Sequence, residues 1–219
     1  MPEVKADRVP LRQRQARETR RAIARAARSL FAERGYATTS IEVVAGEAGV
    51  AARTVYATFG TKKAILAAIC EEWLTESGVF EAIAEGLREP DLGRRLAVVA
   101  LTTRRQWESE RGVRSMLEGA AASDAEVARM VAGWKNDRAR SLQTLVAGLE
   151  DSLRSGMDQR RAGGIIRALT SAEVYFELVA GEGWTPEEYQ RWLEGLLCDL
   201  LLPPPEATDS AETHPPRRR

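Results

Sequence analysis

Residues 35–62 read Gly35-Tyr36-Ala37-Thr38-Thr39-Ser40-Ile41-Glu42-Val43-Val44-Ala45-Gly46-Glu47-Ala48-Gly49-Val50-Ala51-Ala52-Arg53-Thr54-Val55-Tyr56-Ala57-Thr58-Phe59-Gly60-Thr61-Lys62. Ile41, Val44, Ala45 and Ala48 recur at three and four residues, which predicts a short helix with one apolar face, ending at Gly49. A second short helix runs from about Ala52 to Phe59, with Val55 and Phe59 facing the core. Gly49-Val50-Ala51 joins the two, and glycine there supplies the left-handed backbone of a tight turn. Thr39-Ser40-Ile41-Glu42 reads as a capping box, with Thr39 at the cap and Glu42 three residues on. Gly60 stops the second helix, and Thr61 caps the next, which carries Ile65, Leu66, Ile69 and Trp73. Upstream, Ile23, Ala27, Leu30 and Phe31 form the stripe of a helix that Gly35 ends. Two short helices across a glycine turn, with a third packed behind, describe a helix-turn-helix.

In that motif the second short helix is the reading helix. Arg53, near its N-terminus, has the forked donors that match a guanine edge, and Thr54 can meet a base or a phosphate. Ala52, Ala57 and Thr58 lie beside them. Tyr56 pairs an apolar ring with a hydroxyl for a phosphate, and Lys62 is expected to reach the backbone from the following helix. Thr39 and Ser40 offer hydroxyls and free N–H groups at a helix start. The expected DNA contacts are therefore Thr39, Ser40, Ala52, Arg53, Thr54, Tyr56, Thr58 and Lys62. Charge agrees with this placement. The totals of 32 Lys/Arg and 32 Asp/Glu cancel, but residues 1–63 hold 13 against 6 and residues 64–202 hold 16 against 23. Arg8, Arg12, Arg14, Arg17, Arg20 and Arg21 make a basic arm suited to the DNA backbone or minor groove.

The rest of the 219 residues also reads as helix. Leu92, Leu96, Val99 and Trp107 share a face. Ser123-Asp124-Ala125-Glu126 is a second capping box, opening a long helix through Val127, Trp134, Leu142, Leu149 and Leu153. Ile165, Leu169, Ala172, Phe176 and Val179 predict one further helix. Thr185-Pro186-Glu187-Glu188 is a third capping box with proline at the first helical position. The last helix carries Tyr189, Trp192, Leu193, Leu196, Leu197, Leu200 and Leu201 and stops at Pro203-Pro204-Pro205. The expected class is all-α: residues 1–13 a flexible basic arm, 14–62 the helix-turn-helix domain through the start of the fourth helix, 63–202 a larger α-helical effector and dimerisation domain, and 203–219 a disordered tail.

Composition excludes much else. The chain has one histidine, His214, and two cysteines, Cys70 and Cys198. Triad chemistry, a zinc site and a disulfide framework are thereby unexpected. No GxGxxG follows a strand, and Gly163-Gly164 falls at a helix start. Glu71-Glu72 and Glu187-Glu188 lack the histidine of a di-metal bundle. The expectation is no enzyme, no cofactor and no metal. No apolar run approaches the roughly 18 residues of a membrane span. The start carries no secretory pattern, so a cytoplasmic protein without a membrane partner is expected.

Several spacings together carry a resemblance: Phe31-x-x-x-Gly35-Tyr36, Thr38-Thr39-Ser40-Ile41, Ala45-x-x-Ala48-Gly49-Val50 and Thr54-Val55-Tyr56-x-x-Phe59-x-x-Lys62. Over roughly Arg14 to Trp73 the sequence resembles the DNA-binding domain of the tetracycline-repressor (TetR) family. Leu169-Thr170-Ser171-x-Glu173-Val174-Tyr175 and Gly183-Trp184-Thr185-x-Glu187-x-Tyr189-x-x-Trp192-Leu193 resemble the regulatory half of many of its members. The chain departs from the family's pattern at Ala51, where serine is common, at Arg53, where glycine or proline is common, and at Thr58 and Lys63. The resemblance implies a homodimer on a pseudo-palindromic double-stranded operator, usually a repressor released by a small molecule. An activator would use the same parts; a helical protein-interaction adaptor or an enzyme is the remaining alternative.

Two sites follow from the helical faces. The apolar surface of the last two helices is too wide for one neighbour, which predicts a dimer interface of Ile165, Leu169, Phe176, Trp192, Leu193, Leu196, Leu197 and Leu200. Polar groups on otherwise apolar faces mark a pocket: Thr103, Gln106, Glu110 and Arg138, with Trp107, Met116, Met130, Trp134, Tyr175 and Phe176 as walls. That lining suits a hydrophobic or aromatic effector. The same polar residues also fit an internal network.

Overall fold

The computed structural model describes residues 11–110, 112–148 and 150–204. Among the described residues there are eleven α-helices and no strand: α1 (Leu11–Arg34), α2 (Ile41–Glu47), α3 (Ala52–Phe59), α4 (Lys62–Glu76), α5 (Val79–Gly86), α6 (Leu92–Glu108), α7 (Val113–Ser123), α8 (Ala125–Thr144), α9 (Gln159–Leu169), α10 (Ala172–Phe176) and α11 (Pro186–Leu201). The all-α class and the N-terminal helix-turn-helix match the expectation. Residues 1–10 of the expected arm lie outside the described residues, and residues 11–13 already form the first turn of α1. The tail from residue 205 and Leu149 also lie outside them.

The helices bury two cores. In the first, Ile23, Ala27, Leu30 and Phe31 of α1 meet Val44 and Val55 of the two short helices and Ile65, Leu66 and Ile69 of α4. Val113, Met116, Leu117 and Ala120 of α7 and Val127 of α8 complete it. The N-terminal domain thus shares its core with two helices of the larger domain. The second core joins Leu96 and Val99 of α6, Leu142 and Leu145, Ile166 of α9 and Tyr189, Leu193 and Leu197 of α11. The half-buried Trp107 packs against both cores.

Four local readings are corrected. The cap of α2 is Ser40, whose hydroxyl accepts from Val43 N at 3.3 Å. Thr39 is buried, and its hydroxyl donates to the Gly35 carbonyl at 2.8 Å, as a buried hydroxyl must find a partner. The cap of α8 is Asp124, accepting from Glu126 N and Val127 N at 2.8 and 3.2 Å. A carboxylate there also meets the positive end of the helix dipole. Ser123 instead closes α7, donating to Ala120 O at 2.9 Å. The helix of Val127 does not continue to Leu153: α8 stops at Thr144, Leu145 and Val146 bury in a turn, and Gly148 takes φ 76°. The helix expected through Ile165 and Val179 breaks at Thr170, where Ser171 caps α10, and Glu177–Gly181 then winds as a π-helical turn. The capping box at Thr185 and Glu188 stands as read, with Pro186 first in α11.

Close packing sets the sensitivity of this frame. A Cβ built on Gly86 would meet Val98 Cγ1 at 2.8 Å and Leu145 Cδ2 at 3.0 Å, whereas one on Gly119 would meet nothing within 4 Å. Gly86→Ala is therefore expected to cost about 1–3 kcal/mol by overpacking. Gly119→Ala should add up to about 1 kcal/mol through helix propensity. Urea denaturation of both variants checks the pair.

Candidate nucleic-acid interface and buried polar cluster

The short α3 depends on one anchor. Val55 is fully buried, and Ala52 and Phe59 are half-buried against the first core. Ala51 makes no side-chain cap to α3, as its missing hydroxyl requires. Gly49 and Gly60 take φ 66° and 72°, turning the chain into and out of the helix. This anchoring leaves Arg53, Tyr56 and Ala57 exposed and Thr54 and Thr58 half-buried. The Thr58 hydroxyl donates to Thr54 O at 2.7 Å. Arg12, Arg14, Arg17, Arg20, Arg21 and Arg25 are exposed along α1.

Two expected contacts turn inward. Thr39 has its hydroxyl buried, leaving Ser40 as the accessible one. The Lys62 ammonium donates to the carbonyls of Tyr36, Thr39 and Ala37 at 2.7, 3.0 and 3.4 Å, and lies 4.3 Å from the Tyr36 ring centre. In this structure Lys62 gathers the α1–α2 turn rather than extending toward a phosphate. Burial lowers its pKa from the ordinary lysine value, and Asp124 opposes that shift.

Three contacts around α3 were absent from the sequence reading. The Tyr56 hydroxyl lies 3.4 Å from Glu42 Oε1, so an acid stands beside the tyrosine on the exposed face. Arg20 spreads over the Phe59 ring at 4.3 Å and fastens α1 to the end of α3. Lys63 pairs with Glu126 at the start of α8, across the junction of the two domains. These pairings span 14, 39 and 63 positions, and no local pattern signals them.

In the larger domain Arg138 lies at the centre of a polar cluster. Its Nε donates to Gln106 Oε1 at 2.7 Å, Nη1 to Thr170 Oγ1 at 3.2 Å, and Nη2 to Thr170 O at 2.9 Å and Thr103 Oγ1 at 3.5 Å. The Trp107 indole N–H donates to the same Thr170 carbonyl at 3.1 Å, and the Tyr189 hydroxyl to Leu169 O at 3.0 Å. The break after α9 frees these carbonyls, and the cluster satisfies them. Thr103 and Gln106 are buried, and Arg138 stands 5.1 Å from the Trp107 ring. Burial pushes the guanidinium down to about 10, so it stays charged at neutral pH.

The structure brings Thr103, Gln106, Trp107 and Arg138 together, with Phe176 6.4 Å from Trp107 and Tyr175 5.2 Å from Phe176. Met116, Met130 and Trp134 belong to the first core or pack against it. Glu110 is not part of the cluster: its carboxylate accepts from the backbone N–H groups of Gly112 and Arg114 at the start of α7. The cluster is an internal hydrogen-bond network; none of the partners it gives Arg138 is a carboxylate. A cleft of about 290 Å³ lies elsewhere, between α5 and α6, beside Gly86 and Val98.

The expected dimer residues divide. Leu193 and Leu197 are fully buried within their own subunit, because α11 turns them onto α6 and α9. They are corrected from interface to core. Phe176 lies tilted at 59° to Trp107 and under Arg114, within the aromatic group. Ile165, Leu169, Trp192, Leu196 and Leu200 are half-buried and keep apolar surface toward solvent.

Residues 23–69 match the model of bacterial regulatory proteins of the tetR family. Among curated proteins no sequence matches the chain. The fold is similar to that of NalD, the secondary repressor of the MexAB-OprM multidrug efflux pump in Pseudomonas aeruginosa, at 21% identity and TM-score 0.65, covering 85% of this chain and 98% of that one. It is similar to SmeT in a complex with triclosan, at 18% identity and TM-score 0.70, covering 92% and 100%. It is also similar to the transcriptional regulator FadR from Bacillus subtilis in complex with stearoyl-CoA, at 21% identity and TM-score 0.60, covering 81% and 96%. At these identities the likeness is one of fold.

The inward Lys62 sets a test that needs no DNA. Lys62→Met removes three charge-assisted hydrogen bonds and should lower thermal stability by about 1–2 kcal/mol in the free protein. A lysine serving only as a phosphate contact would leave free-protein unfolding unchanged, as calorimetry would show.

Proposed function

We propose that the protein is a TetR-family transcriptional regulator, a homodimeric repressor released from a pseudo-palindromic operator by a small hydrophobic or aromatic molecule; residues 23–69 match the model of that family, and the chain shares the all-helical fold of such regulators. The observation that carries the DNA-binding part is the exposed face of α3, where Arg53, Tyr56 and Ala57 stand clear of a helix held by the buried Val55. Arg53 reads a base edge; Ser40, Thr54 and Tyr56 meet the backbone. Among the described residues no helix is long and apolar enough to cross a membrane.

The dimer reading is supported by the outward half of α9 and α11. Ile165, Leu169, Trp192, Leu196 and Leu200 keep apolar surface after the subunit's own core is complete. Two such helices from each protomer make a four-helix bundle, and a two-fold pair of heads asks for a two-fold operator. NalD is a repressor, SmeT has been seen with triclosan and the Bacillus subtilis FadR with stearoyl-CoA. By analogy a small apolar effector acts on this chain, biasing the head spacing with a coupling of about 1–3 kcal/mol.

Mobility shifts against the DNA upstream of the chain's own gene, over a range of salt, test the reading. Arg53→Ala should cost about 1–3 kcal/mol and relax base preference. Tyr56→Phe should weaken binding evenly across sequences. Leu196→Arg should give monomers by sedimentation and lose most operator affinity. No salt-sensitive preference for any duplex would reject the DNA-binding reading, and an unchanged dimer mass for Leu196→Arg would reject the interface.

A further inference from the structure

We propose that the effector is an organic anion, an acid group on an apolar body, and that Arg138 is the side chain that recognises its charge; this rests on the regulator reading above and names the ligand class of the same domain.

The cluster gives Arg138 hydrogen bonds but no counterion. Its acceptors, Gln106, Thr103 and Thr170, are all neutral, and among the described residues no carboxylate pairs with it. Enclosing a full charge is costly unless an opposite charge accompanies it. The C-terminal end of α9 offers only a partial negative charge, about half an elementary unit. The four hydrogen bonds need the donors of a guanidinium, but none of their acceptors supplies the opposite charge. A missing anion supplies that charge: of the five N–H donors these bonds use four, and one Nη1 N–H is left for an acid oxygen.

The surroundings specify the rest of the ligand. Arg138 stands over one ring of the Trp107–Phe176 pair, and a second cation, Arg114, stands 4.8 Å over Phe176. Arg114 Nε is sealed from solvent without a hydrogen-bond partner. Two guanidinium groups thus flank one aromatic pair, beside which an apolar body can pack; Arg114 already pairs with Glu118 at 3.0 Å, which leaves Arg138 as the one of the two without an acid partner. The side of the cluster nearest solvent is α8, where only Val127 and Leu142 of 20 residues are buried and Trp134 and Arg138 are half-buried. The same helix begins at Glu126, paired with Lys63 of the DNA-binding head, so displacement at Arg138 reaches that contact along one rod.

The experiment is calorimetric titration of the full-length protein with 2-naphthoate and dodecanoate, each against its neutral counterpart, 2-naphthamide and dodecanol. At least one acid should bind about ten- to a hundredfold tighter than its counterpart, the range of a charge-assisted contact. Arg138→Met should bring acid and neutral compound to the same affinity, while Arg138→Lys should keep part of the difference. A purely structural role would lower the melting temperature and weaken both compounds alike. Neutral compounds binding as well as the acids, binding by none of the four, or an acid preference that survives Arg138→Met overturns the proposal. The comparison on the wild-type chain stands even if the variants do not fold. Operator binding by the same preparation is scored separately: its loss with the acid preference intact rejects the regulator reading and not the site.

Discussion

The helix-turn-helix head holds its shape because it borrows a wall. Val44, Val55, Ile65 and Leu66 close over α1, but the core is sealed only when Met116, Leu117, Ala120 and Val127 arrive from α7 and α8. A four-helix head of this size, with two helices of seven and eight residues, buries little apolar surface alone. Sharing its core with the larger domain supplies that surface. It also means that a shift of the α7–α8 corner repacks the head, because interdigitated side chains do not deform freely.

The corner is polar as well as apolar. Asp124 caps α8, lies close enough to Tyr36 and Lys62 to push the pKa of each upward, and is followed by Glu126 on Lys63. Lys62 in turn holds three carbonyls of the turn that precedes α2. Charge on the α8 side thereby reaches the entry of the helix-turn-helix through two consecutive lysines. These pairs are partly exposed and individually weak. They orient the head more than they stabilise it.

A broken helix creates the other polar centre. Had α9 continued through Thr170, the carbonyls of Leu169 and Thr170 would have been consumed by helical N–H groups. The break leaves them to Tyr189, Trp107 and Arg138, so three helices converge on one chain reversal. Trp107 contributes on both counts, joining the two cores by its ring and the reversal by its N–H. Arg138 lies twelve residues along α8 from Glu126, a distance of about 18 Å at the helical rise.

The sequence by itself determined what depends on near neighbours. The three- and four-residue spacing of Ile41, Val44, Val55 and Phe59, the turns at Gly49 and Gly60, and the box at Thr185 and Glu188 mark helices because their physics acts within one or two turns. The exposed Arg53 and Tyr56 follow from the same spacing. Tertiary structure decided what depends on partners distant in the chain. Thr39 looks like a cap, yet its hydroxyl is buried against Gly35; Lys62 looks like a phosphate ligand, yet its ammonium finds the Tyr36 carbonyl; Leu193 and Leu197 look like interface, yet they fill their own core. The uninterrupted pattern through Leu169 and Phe176 concealed a break, because the carbonyls it frees are satisfied from α6, α8 and α11. Local pattern records which face of a helix is apolar; it does not record whether that face meets its own chain or another, and that is settled only when the helices pack.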